Sequence, residues 1–173
     1  GKYKVLECLR NGGFGKTYKA MGYFKIGGKT IKSEVAIKEF FMSSIQKRDV
    51  ETLKVVTPLE KLDEVSSSRK KFMVEAEKIK QYSDHPHIVD VYDVFDENET
   101  CYYTMEYIEG GSLMDYVEQT ETCTLQEEEA LKIIREVASA LSAMHRHRMN
   151  HLDVKPENIL LREEGKAVLI ACG

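Results

Sequence analysis

No apolar run of about 18 residues occurs in the sequence, so it holds no candidate transmembrane helix. No apolar h-region near its start resembles a secretory leader. The segment is therefore expected to be soluble and cytoplasmic, with a membrane anchor outside it left open. Cysteine is sparse and scattered. Cys8, Cys101, Cys123 and Cys172 form no C-x-x-C pair and have no histidine at zinc spacing, which argues against a structural zinc site. Free thiols suit a reducing cytosol. Positive charge is not in excess: 25 Lys and Arg stand against 29 Asp and Glu, a formal net charge of −4, so no global basic field points to nucleic acid. The short basic runs Arg69–Lys71 and His145–Arg148 read as solvated helix faces or as local patches. Internal repeats and low-complexity tracts are absent.

What is present is 173 residues, 42% of them hydrophobic, enough for one ordinary domain or two small lobes. The first forty residues read as strands. Val5, Leu6 and Leu9 lead into a glycine-rich turn, Tyr18–Phe24 follows, Gly27-Gly28 makes a second turn, and Thr30–Phe41 continues in β-branched and aromatic residues. Residues 42–68 lose any steady period and predict a surface excursion, either a tolerated insertion or a segment open to phosphorylation at Thr57 or the serine run. Phe72, Glu75, Ala76 and Ile79 repeat at helical spacing and predict a helix from Arg69 to Tyr82, stopped by His85-Pro86. Strands are expected at Ile88–Phe95 and Cys101–Tyr107, joined by a polar hairpin loop. After Gly110-Gly111 the pattern turns helical. A short helix is expected at Leu113–Glu118. A long one runs from Leu125 to Arg146, with Ala130, Ile133, Ile134, Val137, Ala138 and Leu141 as its buried stripe. A loop, Met149–Asn158, and short strands near Ile159–Leu161 and Ala167–Ile170 complete the pattern.

Three segments carry chemistry. Asn11-Gly12-Gly13-Phe14-Gly15-Lys16-Thr17-Tyr18 puts glycines between two strands, where backbone N–H groups can approach phosphate oxygens; a plain hairpin turn would read the same. Val35-Ala36-Ile37-Lys38 puts a lysine on a strand of buried composition. It would contact phosphate, held by Glu75 on the following helix, or it would reach solvent from an edge strand. His151-Leu152-Asp153-Val154-Lys155-Pro156-Glu157-Asn158 is the most specific. Asp153 can orient or deprotonate a hydroxyl, Lys155 can neutralise a transferred phosphoryl group, and Asn158 can bind a metal ion.

Together these segments, with HPHIV at 85–89 and MEYIEGGSL at 105–113, resemble the eukaryotic-type serine/threonine protein kinase family, collinearly over essentially the whole chain. The VAIKEFF strand paired with His-Leu-Asp is similar to bacterial members, Bacteroidetes kinases in particular. The resemblance implies an α+β, protein-kinase-like fold. Residues 1–109 would form an antiparallel five-stranded N-lobe with one αC helix and the hinge, and 110–173 the start of a truncated helical C-lobe. It implies ATP and Mg2+ as ligands and a protein as substrate. By the same resemblance Gly12, Gly13 and Gly15 form the phosphate loop with Phe14 at its tip, and Lys38 pairs with Glu75. Leu9, Thr17, Ala36 and Leu160 sandwich adenine, and Met105 is the gatekeeper. Glu106, Tyr107 and Ile108 form the hinge, and Ser112 completes the nucleotide set. Asp153 is the catalytic aspartate, Lys155 the serine/threonine-type signature and Asn158 a metal ligand.

Several departures qualify the resemblance. Arg10 stands where the first loop glycine is usual and crowds the ribose edge without abolishing binding. Leu152 replaces the arginine of H-R-D, so control by activation-loop phosphorylation through this residue is not expected. Ala171 and Cys172 stand where D-F-G carries aspartate and phenylalanine. Alanine has no metal-ligand atom, and losing a transition-state contact of this kind typically lowers a rate by about 10²–10⁴. The sequence also ends at Gly173, ahead of the activation segment, which reads as a fragment. The apolar face of the long helix is then open to self-association or another cover. The chain as given is expected to be inactive. A natural pseudokinase, acting as a nucleotide-binding or scaffolding module, is the alternative.

Overall fold

The structure, a computed structural model, describes residues 2–13, 15–82 and 84–170. Phe14, Ala171, Cys172 and Gly173 lie outside the described residues. The chain divides into two units, one taking in the residues up to Gln81 and Val91–Tyr107, the other Tyr82–Asp90 and the residues from Ile108 onward.

The first unit is built on β1 (Tyr3–Asn11), β2 (Gly15–Ile26), β3 (Lys29–Phe40), β6 (Val91–Glu97) and β7 (Thr100–Glu106). They form one antiparallel five-stranded sheet in the order β1-β2-β3-β7-β6. Gly27 and Gly28, both at positive φ (55° and 78°), close the β2–β3 hairpin, and Asn98 and Glu99 (52° and 60°) close β6–β7. Such paired left-handed residues match the twist of the flanking strands. Strand alternation sorts the side chains onto two faces. One carries Ala20, Val35, Ile37 and Tyr102, with Tyr3, Phe24 and Phe95 packed against them. Tyr3 stacks on Phe95 with ring centroids 5.9 Å apart, although their strands are the opposite edges of the sheet, so the sheet curls strongly. Lys2 Nζ, 2.8 Å from Asp93 Oδ2, ties the same two edges; both side chains are well exposed and the pair contributes at most about 1 kcal/mol.

The other face receives α1 (Leu62–Lys80), which buries Val65, Phe72, Ala76 and Ile79 at helical spacing. The Phe72 ring lies 5.6 Å from Phe40 and 5.0 Å from Tyr103. Burial of this one side chain is worth about 2–3 kcal/mol. Here the expected 42–68 excursion needs correction. The helix begins at Leu62, not Arg69, and takes in Ser66–Ser68. Ser66 and Ser67 face solvent, where their hydroxyls do not compete with the helix backbone. The rest is an ordered cover on the sheet. β4 (Lys47–Arg48) pairs with β5 (Val55–Val56), Met42, Gln46 and Val55 are buried, and Val55 N donates to Asn98 O at 2.8 Å.

The second unit contains α2 (Leu113–Gln119), α3 (Glu127–Arg146), β8 (Ile159–Leu161) and β9 (Ala167–Leu169), with β8 and β9 paired antiparallel. The 82–90 segment joins this hairpin: Val89 N donates to Leu169 O at 3.0 Å and Leu169 N to His87 O at 2.9 Å. α2 opens with a capping box, Ser112 Oγ accepting from Asp115 N at 3.1 Å and Asp115 Oδ2 accepting from Ser112 N at 3.0 Å. α3 buries Ile133, Val137, Ala140, Ala143 and Met144. The predicted stripe was therefore turned too far round the helix. Ile134 is 61% exposed and Ala138 is exposed, while Ala130 and Leu141 sit at the margin. Both arcs are apolar at helical spacing, so periodicity alone left the choice open, and packing on β9 decided it.

Candidate functional site

In the first unit the glycine turn is tightly specified. Gly12 N donates to Gly15 O at 2.8 Å, closing the turn from β1 into β2. A Cβ on Gly15 would stand 2.8 Å from Glu39 O, so close strand approach demands glycine there. Ser43 holds the turn from outside: its N–H donates to Gly13 O at 3.1 Å and its hydroxyl lies 3.5 Å from the same oxygen. Gly12 and Gly13 are exposed, as is Leu9 at 43%.

Behind the turn, the register aligns the other expected residues. Arg10 pairs with Thr17, Thr17 with Lys38, and Lys38 with Tyr103, so the four share one rung and one face of the sheet. Ala36 and Met105 form the same kind of cross-strand pair and are buried; Val35 pairs with Glu106. Lys38 Nζ lies 5.9 Å from the ring centroids of both Phe72 and Tyr103, within range of cation–π attraction. Glu75 follows Phe72 by three residues on α1 and shares its side of the helix. Tyr107, just past β7, lies under Lys19 Nζ at 4.4 Å from the ring, and Lys19 also pairs with Glu34 at 2.9 Å.

Sequence reading missed what lies on the opposite face. Glu39, next to Lys38 and 1% exposed, accepts hydrogen bonds from Tyr18 Oη (2.9 Å), Tyr102 Oη (2.7 Å) and Arg48 Nη2. Burial pushes the Tyr102 hydroxyl up to about 12, helped by Glu39, and raises that of Tyr18 as well. The signal was available: a glutamate alternating with Val35 and Ile37 on an apolar face must find partners.

In the second unit one loop brings Asp153, Lys155 and Asn158 together. Asn158, 5% exposed, donates from Nδ2 to Asp153 O at 2.9 Å and to Asp153 Oδ2 at 2.8 Å. Lys155 Nζ lies 3.2 Å from the same carboxylate oxygen. Burial nudges the Asp153 carboxyl upward, but the hydrogen bonds from Lys155 and Asn158 and the nearby positive charge outweigh it and hold the group below its ordinary value. His151 fixes the loop's base. Its Nε2 lies 2.7 Å from Ile170 O and its Nδ1 3.4 Å from Asp153 N, a pattern that suits a neutral ring protonated on Nε2. Leu152 is left-handed (φ 65°) and 91% exposed, the inverse of what an apolar β-sheet or helix position would require. Ile108 is buried and Leu160 half-buried on β8; Ser112 bridges to Leu160 and its hydroxyl serves the helix cap.

Among the described residues, those expected to hold Mg2+ do not make a full ligand set. Asn158 offers an amide oxygen and Asp153 a carboxylate already bonded to Asn158 and Lys155. Among the described residues, no group of three or more His, Cys, Asp or Glu is arranged to hold a metal ion. The alanine at 171 has no side-chain ligand atom. No helix among the described residues is long and apolar enough to cross a membrane.

Residues 3–172 match the protein kinase domain family. Serine/threonine-protein kinase PrkC of Bacillus subtilis is 30% identical over 165 residues, 95% of this chain and 21% of PrkC. Probable serine/threonine-protein kinase MARK-C of Dictyostelium discoideum is 33% identical over 169 residues, 95% of this chain and 18% of MARK-C. The solved apo form of PpkA-294 has the same fold, with a TM-score of 0.86 at 23% identity, covering 98% of this chain and 58% of that one. The chain thus spans about a fifth of the length of these curated relatives.

Proposed function

The chain belongs to the protein kinase family, and from that membership we propose that it is the ATP-binding portion of a serine/threonine protein kinase that, with alanine at 171, binds ATP without efficient phosphoryl transfer. The convergence of Asp153, Lys155 and Asn158 within one loop carries the reading, because a carboxylate held ionised beside an ammonium suits hydroxyl activation beside a phosphoryl group. In the proposal Leu9, Thr17, Ala36, Met105 and Leu160 take the adenine, and the backbone of Glu106–Ile108 bonds its edge. Gly12, Gly13 and Gly15 present N–H groups to phosphate, Lys38 neutralises it, and Glu75 positions Lys38. Asp153 orients the acceptor hydroxyl of a protein substrate, and Lys155 offsets charge on the transferred group.

Mg2+ in this family neutralises and aligns the phosphates. With its aspartate ligand replaced, the residues present do not assemble that site, and transfer is expected to be slow. The test is calorimetric titration of the chain with ATP, with and without Mg2+, beside Ala171→Asp. The chain should bind ATP with little response to Mg2+, and Ala171→Asp should gain at least about tenfold affinity when Mg2+ is added. Robust γ-phosphate transfer to a protein by the unsubstituted chain would sink the claim of inactivity. Absence of ATP binding would sink the nucleotide reading.

Ala171 and Leu152 also favour a second reading, a natural pseudokinase in which nucleotide binding serves scaffolding. Leu131 and Ile134, 43% and 61% exposed on α3, would then lie under a partner or a second copy. Sedimentation showing only monomer at high concentration would count against the second copy.

A further inference from the structure

We infer that Arg10 is a phosphate-binding residue, contacting the polyphosphate of a nucleoside di- or triphosphate alongside Lys38. The inference rests on the nucleotide reading above and extends it to a residue that the family's loop pattern fills with glycine.

The geometry comes from strand register. Arg10, Thr17 and Lys38 are successive partners across β1, β2 and β3. Directly paired residues share a face, and neighbouring strands lie about 4.8 Å apart, so Arg10 and Lys38 stand about 10 Å from each other on one side of the sheet. The glycine turn joins β1 to β2 immediately beyond them. A register shift between Cys8 and Arg10 marks a bulge in β1, a device that re-aims a side chain next to functional sites. Arg10 is exposed.

Charge supports the same assignment. Residues 10–19, which contain the turn, carry Arg10, Lys16 and Lys19 and no carboxylate, in a chain whose net charge is −4. Glu34 is matched by Lys19 at 2.9 Å, and Glu7 pairs in register with that same lysine. The rung itself holds two cations, a hydroxyl and a tyrosine, and no carboxylate. Guanidinium is the side chain best matched to two phosphate oxygens at once.

The decisive measurement compares ATP with adenosine, in EDTA, on the chain and on Arg10→Met and Arg10→Lys. Methionine keeps the apolar stem and removes the charge. The ratio of ATP to adenosine affinity should fall about tenfold or more in Arg10→Met, the loss of one charge-assisted contact, while an unchanged circular dichroism spectrum reports an intact fold. Arg10→Lys should recover part of the ATP affinity and none of the bidentate component. If the chain and Arg10→Met show the same ratio of ATP to adenosine affinity, Arg10 does not touch phosphate and the inference fails alone. If the unsubstituted chain binds neither ligand, the nucleotide reading fails and takes the inference with it.

Discussion

Glu39 and Lys38 are neighbours in sequence and opposites in environment. Lys38 faces the aromatic rings of Phe72 and Tyr103 from one side of β3, whereas Glu39 is sealed on the other under Tyr18, Tyr102 and Arg48. A buried carboxylate tolerates ionisation only while its partners remain. For Arg48, burial alone would lower the guanidinium, and the hydrogen bond and charge of Glu39 outweigh that effect. Arg48→Met should therefore destabilise the first unit by about 3 kcal/mol, read as a lowered urea midpoint. Glu39→Gln combined with Arg48→Met should recover much of the loss, since no uncompensated charge then remains. An Arg48→Met midpoint equal to that of the unsubstituted chain would show the pair to be dispensable.

At the scale of elements, the glycine turn, the 42–56 cover and α1 act as one assembly around β3. The turn is tied by Ser43, the cover by Arg48 and Val55, and the helix by Phe72. In the second unit the backbone junction at Gly110 is equally constrained, because a Cβ there would stand 2.0 Å from Leu161 O. That contact is backbone to backbone, and neither partner can move without shifting β8. Gly110→Ala should cost several kcal/mol or prevent folding, while Gly13→Ala, with nothing within 4 Å of the added Cβ, should leave the thermal midpoint near that of the unsubstituted chain. Comparable midpoints for the two variants would contradict the packing described at Gly110.

For the molecule as a whole, the pH dependence of stability has an identifiable contributor in the 82–90 segment. Burial lowers the His85 pKa, aided by the charges of His87 and Arg146, and His85 Nε2 lies 3.5 Å from Ser139 Oγ on α3. A histidine held below its ordinary 6.5 binds fewer protons folded than unfolded. Its contribution is complete above that value and disappears as pH falls through the lowered one. Unfolding midpoints should drop as pH falls through and below 6.5, and His85→Gln should flatten that part of the profile. An unchanged slope in the variant would assign the dependence to other groups.

Most of the candidate site was legible because its chemistry is local. Asp153, Lys155 and Asn158 lie within six residues, and any loop that closes on Asn158's hydrogen bonds brings them together. The strands and their hairpins followed from glycine turns and β-branched runs, for the same reason, whereas the pairing of β3 with β7 joins segments distant in sequence. The Glu39 network was not legible, since its partners Tyr18 and Tyr102 lie 21 and 63 residues away and nothing local names them. Ser66–Ser68 misled for a related reason: serine is a weak helix former, and only tertiary contacts through Val65 and Phe72 extend α1 back to Leu62. The buried arc of α3 was undecided until β9 packed on one of two apolar arcs.

The sequence by itself determined the side-chain inventory: the kinase family's motifs in order, Lys38 and Asp153 within them, and an alanine at 171. Tertiary structure alone decided register and face. It set Arg10 on the rung of Lys38, gave Glu39 its partners and ordered residues 42–56, because strand pairing and burial join residues that no local pattern connects.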